Sequence, residues 1–194
     1  GNQAGNKQTS LFHQAFPLFR HRWDKQIPPD SIPPEKERQE YEVSPRLSHQ
    51  RRRFIRRTMN WPKVGIVLIN FNGLEHTMEC LDSLSKITYP NHRVYVVDNR
   101  SDESPKESIH KVHPSIRILE NEWNLGFTGG NLSGTLIAFE EGADLILLLN
   151  NDTTVAPDFL EPLVTSLTNN PELGMVTPKI YFYGQEKVIW AYGG

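Results

Sequence analysis

Hydrophobic positions divide the 194-residue chain into two unequal parts. Residues 1–60 have no sustained period, and "IPPDSIPPEKERQEYEVSPRLSHQ" mixes proline pairs with charge, which reads as a linker or tail. From Trp61 onward the pattern becomes regular. "KVGIVLIN" (63–70) is a continuous apolar run rich in β-branched residues and predicts a strand covered on both faces. "GLEHTMECLDSLSKI" (73–87) carries Leu74, Met78, Leu81 and Leu84 at nearly helical spacing. "HRVYVVDNRS" (92–101) predicts a second strand, "SPKESIHKVH" (104–113) a short helix and "SIRILEN" (115–121) a third strand. The glycine-rich "NLGFTGG" (124–130) leads into "NLSGTLIAFEEG" (131–142), a helix closed by Gly142. "DLILLLN" (144–150) is a fourth strand, and "APDFLEPLVTSLTNN" (156–170) a helix with Pro157 near its first turn. "ELGMVTPKIYFYG" (172–184) and "KVIWAYGG" (187–194) read as further strands.

Strand and helix therefore alternate four times. Right-handed crossovers turn that alternation into a three-layer α/β/α fold with a mostly parallel sheet over residues 61–194. In such a sheet ligands bind beyond the carboxyl ends of the strands. Asn70 and Asn72, Asp98 and Asn99, Asn121 and Asn124, and Asn150 to Asp152 occupy those ends. Four consecutive strands thus bring amide or carboxylate side chains to one rim.

Charge sharpens the division. Residues 1–60 hold 12 Lys/Arg and 6 Asp/Glu, a balance of +6, and residues 61–194 hold 9 and 17, a balance of −8. The acidic main part argues against nucleic acid as a partner and fits phosphates handled through a cation. "RRRFIRR" (51–57) places five arginines in seven residues. It is either a solvated basic linker or a peripheral contact with anionic lipid or nucleic acid. The single cysteine, Cys80, excludes an internal disulfide and reads as a buried thiol. No apolar run is long enough to span a bilayer, and no leader pattern is present. The expectation is a cytoplasmic location, with the inner membrane face as the place of any lipid contact.

Several nucleotide schemes fail on this rim. A dinucleotide fold wants G-x-G-x-x-G after its first strand, where "NFNGLE" supplies one glycine. A P-loop fails for want of G-K-[ST], and a methyltransferase-like site would also place its glycine turn early. A nucleotidyltransferase would want a longer, arginine-bearing loop after the first strand. A nucleotide-sugar site fits better. Asp98 can accept a hydrogen bond from a nucleobase imide or a ribose hydroxyl, or else it caps the "SPKES" turn. Gly129 and Gly130 can let the backbone approach a ligand, with Asn131 in reach, or they serve a turn and close helix packing. Asp152 is either the polar stop of a strand or a ligand for a divalent ion bound to a diphosphate; Thr153 or Thr154 is the more natural cap for the following helix.

"VGIVLINFNG", "VYVVDNRSDES", "ENEWNLGFTGGNLSG", "LILLLNNDTTVAPDFL" and "IWAYGG" occur in an order that resembles the nucleotide-binding half of inverting glycosyltransferases of family 2, which have the GT-A fold. The rhamnosyl- and galactofuranosyl-type branch is the most similar. The resemblance covers roughly residues 63–194. It implies that Phe71 and Asn72 flank the base, that Asp98 binds its edge, and that Asn124 and Asn131, with Gly129 and Gly130, line the nucleotide-sugar pocket. It further implies that Asp152 ligates Mg or Mn, with Asn150 near the ribose or diphosphate in place of the first carboxylate of the family's D-x-D. The implied function is metal-assisted, inverting transfer of a sugar from UDP or dTDP to a saccharide or lipid-linked acceptor; the alternative is an inactive binding module of the same fold. The general base belongs to the acceptor part. Past Leu160 only Glu161, Glu172 and Glu186 remain, and none suggests that role, so the acceptor part is expected to lie largely beyond Gly194.

Overall fold

The computed structural model describes residues 61–192, apart from the side chain of Glu186. The tail and its basic stretch at 51–57 lie outside the described residues. Four strands, β1 (Val64–Asn70), β2 (His92–Asp98), β3 (Arg117–Glu120) and β4 (Leu145–Asn150), form one parallel sheet in the order β3-β2-β1-β4. The register sets Asn70 opposite Asp98, Ile69 opposite Asn150 and Asp98 opposite Glu120. All four strands therefore finish at one level. The chain steps outward from β1 to β3, then returns to the other side of β1. That reversal between β1 and β4 is where an open α/β sheet makes its crevice.

The connecting helices are α1 (Leu74–Leu84), α2 (Lys106–Val112), α3 (Gly126–Glu140) and α4 (Leu160–Asn169). Side chains of β1 and β2 alternate between two cores. Ile66, Leu68 and Val96 meet Leu81 and Leu84 of α1, Ile109 of α2 and Val164 of α4. Val67, Tyr95 and Val97 meet Ala138 of α3 on the opposite face. The expected three-layer α/β/α architecture is what the chain adopts. Each fully buried aliphatic side chain contributes roughly 1.5–3 kcal/mol, so the doubly covered β1 and β2 anchor the whole unit. Trp61 stacks edge-on against Tyr89, centroids 5.2 Å apart, at the start of this unit.

Two helix boundaries differ from the sequence expectation. α3 begins at Gly126, so the glycine-rich segment is its first turns and not a loop before Asn131. The reason is tertiary: Gly130, Gly134 and Ala138 recur every four residues and form a flat face on β1 and β2, which outweighs the poor helix propensity of glycine. Gly65 completes that contact from the sheet, since a Cβ there would sit 2.8 Å from the Ala138 Cβ. α4 begins at Leu160, three residues past Pro157, because the Pro157 carbonyl accepts the Thr88 amide at 2.8 Å. Gly142 follows α3 with φ +89°, as a helix stop requires. The last two strands, β5 (Lys179–Phe182) and β6 (Gln185–Tyr192), pair antiparallel as a separate two-stranded sheet. Among the described residues no helix is long and apolar enough to cross a membrane.

The end of the sheet away from the rim is fixed by charge. Glu141 receives Arg93 at 2.7 Å, Arg117 at 3.3 Å and the Tyr95 hydroxyl at 3.1 Å. Partial burial opposes its ionisation, but Tyr95 and the two guanidiniums outweigh that and hold Glu141 below the usual carboxylate range. A depressed folded pKa stabilises the protein at pH above the ordinary 4.5 and loses that contribution as pH falls through the folded value. We expect the melting-temperature advantage of wild type over E141Q, worth under about 1 kcal/mol, to be full at pH 7 and to vanish in acid. An advantage unchanged at low pH would show that the network is not electrostatic.

Candidate functional site

The rim is built from two hydrogen-bonded clusters of strand-end side chains. In the first, the buried Asp98 carboxylate closes a turn onto its own chain: Oδ1 accepts the Ser101 hydroxyl at 2.5 Å and Oδ2 the Ser101 amide at 3.2 Å. It does not cap the "SPKES" turn. Asn70 Nδ2 donates to Asp98 Oδ1 at 2.9 Å and to Ser101 Oγ at 3.0 Å. Oδ1 is thereby saturated, while Oδ2 holds a single long bond and keeps capacity for another donor.

Asn72 follows at φ +51°, a left-handed conformation that asparagine tolerates better than most residues. Its amide donates to Ser101 Oγ at 2.9 Å, and its side chain exchanges two bonds with Asp102, at 3.0 and 2.9 Å. The loops after β1 and β2 are thus locked together. Between them lies an open cleft of about 380 Å³, lined by Asn70, Asn72, Ser101, Asp102, Ser104 and Ser108 among others. Its walls carry hydroxyls, amides and carboxylates with no Lys or Arg. That chemistry suits hydroxyl and N–H donors and repels a bare phosphate.

The second cluster ties the entry of α3 to β2. Asn99 Nδ2 donates to Asn124 Oδ1 at 2.8 Å and to the Gly126 carbonyl at 3.2 Å. Its Oδ1 accepts the Leu125 amide at 3.1 Å and Asn121 Nδ2 at 3.0 Å. Asn124 is buried here, and its Oδ1 also accepts the Gly126 amide at 2.9 Å. Asn131 is buried too and donates to the Phe127 carbonyl at 3.0 Å within α3. A Cβ on Gly129 would lie 2.6 Å from the Leu125 Cβ, and one on Gly130 3.2 Å from Ile69 Cδ1. The space at both glycines is taken by the chain's own atoms.

Asn150 ends β4, and Asp152 stands exposed two residues on. α4 starts at Leu160 behind Phe159 with no side-chain cap, so neither Asp152 nor the two threonines serves that purpose. The Asp152 carboxylate takes no hydrogen bond or ion pair from the described residues. Its charge is nonetheless felt by Cys80, whose thiol is pushed up to about 12 by burial first and by Asp152 next. Cys80 is the buried, inert thiol that the sequence suggests.

Of the residues singled out in the sequence, Asn72 lines the cleft and Asp98 lies behind its Asn70–Ser101 wall. Asn150 and Asp152 stand on the adjoining β4 end, and Asn124, Gly129, Gly130 and Asn131 form the framework of α3. Phe71 is half-buried between Asn70 and Asn72. Ser101 and Thr77 escaped sequence reasoning, and Asn151 entered it only as one of the polar strand ends. Ser101 had a signal, since a strand-end aspartate commonly accepts the amide of a residue two or three positions on, as a capping side chain does.

Whether a divalent ion suits this rim is a question of donor chemistry. Among the described residues no three His, Cys, Asp or Glu gather closely enough to hold one. Mg and Mn, however, bind through one or two carboxylates when substrate phosphates and waters complete the shell. An exposed Asp152 without a hydrogen-bond partner among the described residues fits that mode.

The family model for glycosyl transferase family 2 matches residues 65–193. An uncharacterized glycosyltransferase of Haemophilus influenzae is 27% identical over 123 residues, covering 59% of this chain and 35% of that protein. Protein CgeD of Bacillus subtilis is 24% identical over 140 residues, covering 66% and 30%. The chain therefore spans about a third of the length of these relatives. Among solved structures, the mannosyltransferase PcManGT from Pyrobaculum calidifontis, in complex with GDP-Man and Mn2+, has a TM-score of 0.52 at 19% identity. The match covers 64% of this chain and 39% of that one, and it identifies the fold as the GT-A type.

Proposed function

Because the chain belongs to glycosyl transferase family 2, we propose that residues 61–192 form the donor-binding part of a glycosyltransferase that uses a nucleoside-diphosphate sugar. The observation that carries this reading is the placement of the polar cleft. It opens at the ends of β1 and β2, beside the reversal of strand order, with the exposed Asp152 on the neighbouring strand end. The nucleoside sits in the cleft, where Asn72 and Phe71 flank the base and Asp98 Oδ2 accepts its imide N–H. UDP and dTDP both carry that donor. The diphosphate, excluded from the acidic cleft, extends toward β4 and Asp152.

When bound at Asp152, Mg or Mn supplies charge neutralisation for the departing diphosphate. The residues of this chain do the remaining work: Asn72 and Asp102 hold the cleft in shape, and Asn99 and Asn124 pin the entry of α3 to the end of β2. The finer reading is inverting, single-displacement transfer to a saccharide or lipid-linked acceptor, as in the rhamnosyl- and galactofuranosyl-type branch that "NLGFTGGN" resembles. The acceptor base is assigned to no described residue. Titrating the whole chain with UDP and dTDP by calorimetry, with and without Mn2+, tests the reading. We expect measurable binding of both, tightened by Mn2+; absence of binding under all four conditions would sink it.

A further inference from the structure

We infer that Thr77 and Asn151 are positioning residues, which transmit the orientation set by Asp98 to the loop that carries Asp152 and so couple nucleoside binding to metal binding. The inference rests on the reading above. Its basis is a continuous chain of side-chain hydrogen bonds across three elements. Asn151 Nδ2 donates to Thr77 Oγ1 at 3.0 Å, Thr77 Oγ1 donates to Asn70 Oδ1 at 2.9 Å, and Asn70 Nδ2 donates to Asp98 Oδ1 at 2.9 Å. Asn70 and Thr77 are 1% and 0% exposed, so solvent is kept from the two inner bonds, while the outermost, to Asn151, is half-buried.

The direction of the chain is fixed by one charge. An ionised Asp98 only accepts, so the Asn70 amide must turn its NH2 toward it. That leaves Asn70 Oδ1 facing Thr77, whose single proton must therefore go to Asn70. Thr77 then has only a lone pair for Asn151, which must present its own NH2. Every donor points toward the carboxylate, and bonds aligned in one sense reinforce one another at low dielectric.

The far end of the chain is held firmly. Asn151 Nδ2 also reaches the Gly73 carbonyl at 3.4 Å, and a Cβ at Gly73 would come within 3.0 Å of that nitrogen. Gly73 is thus the space in which the Asn151 amide lies. Asn151 immediately precedes Asp152, so its side-chain tether restrains the backbone that carries the next carboxylate. The nucleoside cleft shares Asn70 as its wall. One side chain therefore belongs both to that wall and to the tether of the β4 loop.

The test is the ratio of UDP dissociation constants without and with Mn2+, measured by calorimetry on the whole chain carrying Thr77→Val or Thr77→Ser. Valine keeps the shape and removes the hydroxyl; serine keeps the hydroxyl. We expect T77V to shrink the Mn2+ enhancement by about 3-fold or more, less than the roughly 10-fold loss when a direct partner of a metal ligand is removed, because Thr77 acts through Asn151. Metal-free UDP binding should change far less, and T77S should retain the enhancement. Asn151→Ala, in a half-buried loop, gives the same readout should T77V fail to fold. A purely structural role lowers the melting temperature of T77V and leaves the ratio intact, and that result, repeated in N151A, would overturn the inference alone. Wild-type protein that binds UDP with no Mn2+ effect would overturn the metal half of the proposed function and this inference with it.

Discussion

Gly134→Val is expected to abolish the folded state of residues 61–192 at ordinary temperature, and Gly134→Ala to lower its stability by about 1–3 kcal/mol. Gly134 lies in the middle of α3, where alanine would favour the helix by about 1 kcal/mol. Packing overrides that gain. A Cβ at this position would stand 2.5 Å from Val67 Cγ1 and 2.7 Å from Val97 Cγ2. Both are buried branched side chains on the two central strands, with no flexible end to swing aside. Relief would require α3 to lift off the sheet, which would also draw the Asn99–Asn124 clamp apart. Valine adds two further carbons to the same clash. Gly174→Ala is the control: a Cβ there would meet nothing within 4 Å and its φ is not positive, so it should be neutral. Chemical denaturation of the three variants checks the order. A G134A protein as stable as wild type would mean that α3 does not rest on β1 and β2 as described.

That same glycine face marks where sequence reading succeeds and where it stops. The strands are legible because β1 and β2, covered on both faces, must be almost wholly apolar, and the polar residue that ends each run falls at the rim. Asn70, Asp98 and Asn150 can therefore be placed together before any register is known. The start of α3 is not legible, because intrinsic propensity reads "GFTGGN" as a loop, while its helical state depends on Val67 and Val97, distant in sequence. The clusters are hidden for a related reason. That Asn70 meets Asp98 follows from the pairing of β1 with β2, and that Asn151 meets Thr77 follows from α1 lying across the β4 end. The sequence marks Asn151 and Asp152 alike as polar stops. Only the fold gives one a tether and leaves the other exposed.

The contrast between the two carboxylates yields the second large effect. Asp152→Asn is expected to reduce UDP affinity in Mn2+ to its metal-free value while leaving stability within about 0.5 kcal/mol of wild type, as for other exposed positions without partners. In a chain competent for transfer, losing the ion's several kcal/mol of charge stabilisation would slow the reaction on the order of a thousandfold. Asp98→Ala should behave oppositely. It strands the Ser101 amide and hydroxyl and takes one of two acceptors from Asn70 Nδ2, costs about 1–3 kcal/mol for each group left unsatisfied, and weakens UDP binding with or without Mn2+. Stability and affinity fall together at Asp98 and separate at Asp152, because one carboxylate is buried behind the cleft wall and holds it, while the other faces outward. Calorimetry and thermal melts on the two variants read both quantities. A D152N protein that kept the full Mn2+ effect would place the ion on another carboxylate and overturn the assignment of Asp152.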